Sequence, residues 1–67
     1  GMTVRHLALE LYHWLKRLEE LEQARARLGP EAPLAARQRL ETEILQARGA
    51  AEHYRKLLKA QKEEVKI

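Results

Sequence analysis

A single helix-breaking segment, Gly29-Pro30-Glu31-Ala32-Pro33, divides a chain of 67 residues that favours helix on both sides of it. Asp, Asn, Ser, Cys and Phe are absent, whereas the best helix formers, such as Leu, Ala, Glu and Arg, are abundant. Glycine just past a helix end readily adopts the left-handed conformation, and proline suits the first turn of the next helix. The sequence therefore predicts helix 1 over about 3–28 with Thr3 as its N-cap, a turn at about 29–32, and helix 2 over about 33–64.

Seam residues recur in steps of three and four along both segments. The series in helix 1 is Val4, Leu7, Leu11, Trp14, Leu18, Leu21, Arg25 and Leu28, and the series in helix 2 is Arg37, Leu40, Ile44, Ala47, Ala51, Tyr54, Leu58, Gln61 and Val65. Two such series around a short turn predict left-handed antiparallel packing. Folding the chain about the turn places Trp14 opposite Ala47 and Leu18 opposite Ile44. We therefore expect an all-α fold, in which a single domain over 2–67 forms a two-helix antiparallel coiled-coil hairpin.

The apolar surface is wider than the seam of one hairpin requires. Beside the seam lie Ala8, Tyr12 and Leu15 in helix 1 and Ala36, Ala50 and Leu57 in helix 2, with Leu9 and Leu45 further out. Folds with so small a core commonly oligomerise. We therefore expect hairpins to dimerise into a four-helix bundle, with Ala8, Tyr12, Leu15 and Leu57 among the contacts between copies. The alternative is that these side chains are the scattered apolar residues of an ordinary surface.

Basic residues cluster near the turn and along the second half of helix 2. They are Arg25, Arg27, Arg37 and Arg39 near the turn, and Arg55, Lys56, Lys59 and Lys62 in helix 2. Arg25 and Arg37 occupy facing seam positions, so their repulsion requires relief, which Glu22 and Glu41 are close enough to supply. An alternative interpretation assigns the basic residues contacts with an anion or a nucleic acid. Interleaved glutamates and the lack of an aromatic stacking platform favour solvated helix faces.

Histidine and glutamate share one face near the start of helix 1. His6, Glu10 and His13 follow helical spacing, and Glu10-x-x-His13 resembles the Glu-x-x-His pair of di-iron bundle proteins. Those ligands project into a core, whereas Glu10 and His13 flank it, so we expect solvated polar residues and no metal site. The sequence has no Ser or Cys nucleophile, no Asp and no glycine-rich phosphate loop. We therefore expect no catalytic residue, no cofactor and no enzyme activity.

Composition and patterning favour a small interaction module. No run approaches the roughly 18 apolar residues of a membrane span, and no signal-peptide pattern is present, so we expect a cytoplasmic protein without membrane contact. Gly1 before Met2 is interpreted as an expression scar. We expect a structural or protein–protein interaction module that self-associates and presents its outer surface to an unknown protein partner. The alternative is a nucleic-acid-binding hairpin dimer. That alternative resembles the plasmid RNA-binding Rop bundle in architecture only, through its size, its two helices and its short turn.

Overall fold

The chain folds as two long helices joined by a short turn. A computed structural model describes the backbone of residues 3–65 and the side chains as far as Lys62. Helix α1 spans Val4–Arg27 and helix α2 spans Leu34–Val65. The helices pack against each other in a body measuring 55 × 17 × 14 Å. The predicted all-helical hairpin is therefore confirmed, while Gly1 and the side chain of Val65 lie outside the described part.

Thr3 caps the start of α1. Its hydroxyl oxygen accepts a hydrogen bond from the His6 backbone N–H at 3.1 Å, and its carbonyl accepts from the Leu7 N–H at 2.9 Å. Threonine is among the preferred N-cap residues because its side chain satisfies a backbone donor that the first turn leaves free. The predicted cap is confirmed, and α1 begins at the next residue, Val4.

Gly29 does not adopt the left-handed conformation expected for it. Its φ is not positive, and α1 ends instead with Leu28 in an extended conformation (φ −67°, ψ 127°). The Ala32 N–H then donates to the Gly29 carbonyl at 3.1 Å and closes a turn whose second residue is Pro30, a position suited to the fixed φ of proline. The expectation was wrong because the extended Leu28 already redirects the chain, so the turn needs no left-handed residue.

The first turn of α2 is fastened to the connecting segment. The Pro33 carbonyl accepts hydrogen bonds from the N–H groups of Ala36 at 3.1 Å and Arg37 at 3.3 Å, so α2 begins at Leu34, directly after the proline. The Arg37 guanidinium also donates to the Gly29 carbonyl. This contact links α2 to the turn.

The core lies along the predicted seam. Leu21, Ile44 and Ala47 form a buried cluster, against which Trp14, Leu18 and Leu40 pack. Leu7 and Ala51 are also buried, further from the turn. Every one of these residues belongs to the predicted three-and-four series, and the expected partners Trp14 and Ala47 share one cluster. The side chains outside the seam, together with half-buried seam residues such as Leu11 and Leu18, are therefore available to other molecules.

Candidate self-association surface

An open groove of about 380 Å³ lies between α1 and α2 on one side of the hairpin. Its lining consists of Leu11, Leu15 and Leu18 from α1 and Ala51, Arg48, Glu52 and Arg55 from α2. We call this set of residues the groove face. Leucines and an alanine line most of it, while charged side chains are confined to its α2 edge. The groove face is therefore an apolar strip with a polar border.

The apolar surface continues from the groove face onto the outside of α1. Tyr12 and Leu15 line a neighbouring shallow groove of about 260 Å³ together with Lys16 and Glu19. The exposed fraction is 57% for Tyr12 and 50% for Leu15. Leu11, Leu15 and Leu18 follow helical spacing, so α1 turns this strip to the same side for about two turns. Leu15 is the residue that the two grooves share.

Charged side chains of both signs border the groove face and form ion pairs with each other. The Arg48 Nη2 atom lies 3.1 Å from the Glu22 Oε2 atom across the helix interface. Within α2, Arg55 donates to Glu52 from Nη2 at 2.7 Å and from Nε at 3.1 Å. The hydrogen bonds from Arg55 lower the pKa of the exposed Glu52 carboxyl below its ordinary value. The border therefore carries two guanidiniums and an ionised carboxylate at neutral pH.

The opposite flank of the hairpin has a groove of about 320 Å³, which is lined by Glu10, His13, Trp14 and Arg17. On this flank the Arg17 Nη2 atom lies 3.6 Å from the Glu43 Oε2 atom of α2. Leu57 follows Glu43 at twice the heptad spacing, so it lies on this flank as well. Heptad spacing therefore places Leu57 on the opposite flank from Tyr12 and Leu15.

A simple sequence signal distinguishes the two flanks. Each heptad has two seam positions, a and d, and the residue directly after d is at position e. In an antiparallel pair, the e positions of one helix lie on the same flank as the e positions of the other helix. Ala8 and Leu15 occupy this position in α1, and Arg48 and Arg55 occupy it in α2, whereas Leu57 directly precedes a seam residue. The Arg48–Glu22 pair across the helices confirms which positions share a side. Leu57 therefore stays a predicted contact with a second copy, on a different flank from Ala8 and Leu15.

The arginines of the seam near the turn have partners. The Arg25 Nη1 atom donates to the Glu41 Oε1 atom at 2.9 Å, which is the relief expected from the sequence. Arg37 donates instead to the Gly29 carbonyl, and Glu22 pairs with Arg48. The two seam arginines thus avoid repulsion by directing their charged groups to different acceptors.

Other basic side chains near the turn and along α2 are exposed to solvent. Those predicted as anion contacts and found exposed are Arg27, Arg39, Arg55, Lys56, Lys59 and Lys62. Within the described residues, Arg27 and Arg39 form no ion pair at the turn end. Arg55 differs from this group because it is held by Glu52.

The polar face near the start of α1 forms one weak contact. The His6 Nε2 atom lies 3.8 Å from the Glu10 Oε2 atom. Among residues 3–62, no three side chains of the types that bind metals gather at one place. The described residues also contain no helix that is both apolar enough and long enough to cross a bilayer.

No protein-family model matches this sequence, and comparisons with curated proteins and with solved structures give no match either. The surfaces of the hairpin are therefore interpreted from their own chemistry.

Proposed function

We propose that this chain is a small, non-enzymatic interaction module that self-associates through helical hairpins and builds a four-helix bundle from two copies. The observation that carries the proposal is the groove face, an apolar groove of about 380 Å³ that continues into the exposed side chains of Tyr12 and Leu15. Covering one large apolar side chain stabilises an assembly by about 1.5–3 kcal/mol. A second copy supplies the same apolar strip, so each copy covers the other.

The size of the hairpin suits this role. Stable interfaces cover about 800 Å² on each partner. One side of a body measuring 55 by 17 Å offers an area of that order. A tyrosine beside the groove also fits an interface, because aromatic side chains are enriched there. These features support docking along the length of the hairpin.

The polar groups favour binding over catalysis. Around the groove, Arg48 and Arg55 are held by Glu22 and Glu52, and the groove itself is open along its length. Catalytic sites instead enclose the substrate. The surface therefore supports an assembly role.

Leu15→Glu tests the proposal, with Leu9→Glu as its matched control. Both leucines are in α1 and are about equally exposed, at 50% and 53%, but only Leu15 lines the groove face. We expect the parent chain and Leu9→Glu to sediment as dimers at micromolar concentration and Leu15→Glu as a helical monomer, because a carboxylate is costly to bury. A well-folded parent chain that sediments as a monomer contradicts the proposal.

A second candidate function is nucleic-acid binding by the outer basic residues. The observation that favours it is the exposure of Arg27 and Arg39 at the turn end, where neither forms an ion pair with the described side chains. Fluorescence anisotropy with RNA and DNA hairpins at two salt concentrations separates the candidates. Phosphate binding weakens steeply with salt, whereas an absence of binding at low salt removes this function.

A further inference from the structure

We infer that the two copies dock antiparallel, with their turns at opposite ends of the bundle and Leu15 on the two-fold axis. This inference rests on the proposed self-association and specifies its geometry. In a two-fold interface the same surface serves both copies, so residue i contacts residue j and residue j contacts residue i. Side chains equally far from the axis along one helix must therefore complement each other.

Two docking arrangements satisfy this symmetry. With the axis perpendicular to the helices, each helix lies on its own counterpart and the turns point in opposite directions. With the axis parallel to the helices, α1 of one copy lies on α2 of the other and the turns share one end. The charges along α2 distinguish the two arrangements.

The level of the axis follows from the groove face. The groove face runs from Leu11 to Leu18 on α1 and from Arg48 to Arg55 on α2, so Leu15, in the middle of its α1 side, lies level with about positions 50–52 of α2. An antiparallel axis at that level places Arg48 of one copy beside Glu52 of the other, and the reverse. A guanidinium has five N–H donors, so Arg48 retains its bond to Glu22 while it donates to the second copy.

The same axis matches further residues on both helices. It brings Lys59 of one copy to Glu41 of the other, because both lie about nine positions from the axis along α2. On α1 it places Leu15 against Leu15 of the second copy, and it places Tyr12 near Glu19 of the second copy, where the phenol donates to a carboxylate. One choice of axis therefore gives apolar contact at its centre and opposite charges at the Arg48–Glu52 and Lys59–Glu41 contacts.

Parallel docking is less complementary. It places α1 of one copy against α2 of the other, and every residue keeps its position along the helix axis. Arg5 of one copy therefore lies level with Lys59 of the other. Like charges across an interface oppose association, so the charge pattern favours the antiparallel arrangement.

Charge exchange at positions 48 and 52 tests the inference. In the antiparallel dimer, Arg48→Glu sets two carboxylates against each other at both symmetry-related contacts, and Glu52→Arg sets two guanidiniums there. We expect each variant alone to dimerise at least about tenfold more weakly. An equimolar mixture of the two variants restores opposite charges at both contacts, so the mixture regains dimers of about the parental affinity.

Circular dichroism and a double variant keep this test separate from folding. Arg48→Glu also removes the Arg48–Glu22 pair within one copy, so helicity must be measured for each variant. The double variant Arg48→Glu/Glu52→Arg lacks that same pair but again has opposite charges between copies, and we expect it to dimerise alone. If neither the mixture nor the double variant dimerises more tightly than the single variants, the antiparallel contact is wrong.

Distance measurement gives an independent readout of orientation. The sequence has no cysteine, so Glu31→Cys provides a unique spin-label site in the turn. With Leu15 on the axis, a rise of 1.5 Å per residue puts the two labels on the order of 45 Å apart. Parallel docking brings them within about 20 Å, given the usual spacing of packed helices. A dimer with a short distance overturns the docking inference alone, whereas a parent chain that stays monomeric overturns the proposed function itself.

Discussion

Gly49 lies in the interior of α2, where glycine is the least favourable residue apart from proline. A Cβ atom added to it meets nothing within 4 Å, and its φ is not positive, so neither packing nor backbone conformation within the hairpin requires glycine. We expect Gly49→Ala to raise the free energy of unfolding by about 1 kcal/mol, because alanine loses less conformational freedom in a helix. Chemical denaturation monitored by helicity measures this change.

Gln46→Ala, one turn earlier on the exposed surface, is the control and should change the unfolding free energy by less than about 0.5 kcal/mol. Gly49→Ala should also leave the dimer unchanged, because position 49 is not part of the groove face. If the alanine variant is more helical but associates less, another chain approaches α2 closely at this glycine, and the groove face is not the whole interface.

The predictability of single residues depends on how local their interactions are. Thr3 was identified as a cap because its hydroxyl needs only the His6 N–H, three residues away. Gly29 begins the turn as predicted, but its conformation was not predicted because it depends on the extended conformation of Leu28. Glycine after a helix is a sound signal for a turn, but it does not specify how the turn is made.

The contact between α1 and α2 depends on pairing a large side chain with a small one. Trp14 packs against the cluster that contains Ala47, which is almost fully buried. Ala47→Leu should overpack this layer and lower the unfolding free energy by about 1–3 kcal/mol.

Trp14→Ala should leave a void in the same layer and lower the unfolding free energy by about 3 kcal/mol. This value is at the low end of the usual range for buried aromatic residues, because Trp14 is only half-buried.

Ala35→Leu is the control for this pair of substitutions. Ala35 is exposed in the first turn of α2, so a larger side chain there should change the unfolding free energy by less than about 0.5 kcal/mol. Thermal and denaturant melts of the three variants test the register directly. If Ala47→Leu and Ala35→Leu melt alike, the layer around Trp14 is not packed as described.

The three-and-four spacing of apolar residues predicted the seam between the helices, but it did not predict the flank on which each neighbouring residue lies. The residues that are buried in the structure all belong to the three-and-four series, because that repeat follows directly from helix geometry. The flank on which Leu57 lies depends also on the antiparallel direction of the two helices, because that direction determines which heptad positions share a flank. Spacing also does not specify which glutamate each arginine contacts, because this depends on the rotamers of long side chains. In the structure Arg48 pairs with Glu22, and Arg25 pairs with Glu41.

The whole molecule is a thin rod with one buried stripe on each helix. A body of 55 × 17 × 14 Å has a large surface for its volume, and only five apolar side chains in the described part are buried. Small folds with cores of this size are marginally stable when alone. Association along the groove face adds buried apolar area without a longer chain, so folding and dimerisation should be coupled.

The coupling predicts that the melting temperature rises with protein concentration. A partner present at about 100 times its dissociation constant contributes about 2.7 kcal/mol to the folded state, and each kcal/mol shifts the midpoint by about 4–8 °C in a domain of this size. Leu15→Glu should melt at a temperature independent of concentration, whereas Leu9→Glu should follow the parent chain. Melts followed by circular dichroism from low micromolar to millimolar concentration provide the measurement. A parental midpoint that does not move over this range means that the isolated hairpin supplies all of its own stability, and it contradicts the proposed dimer.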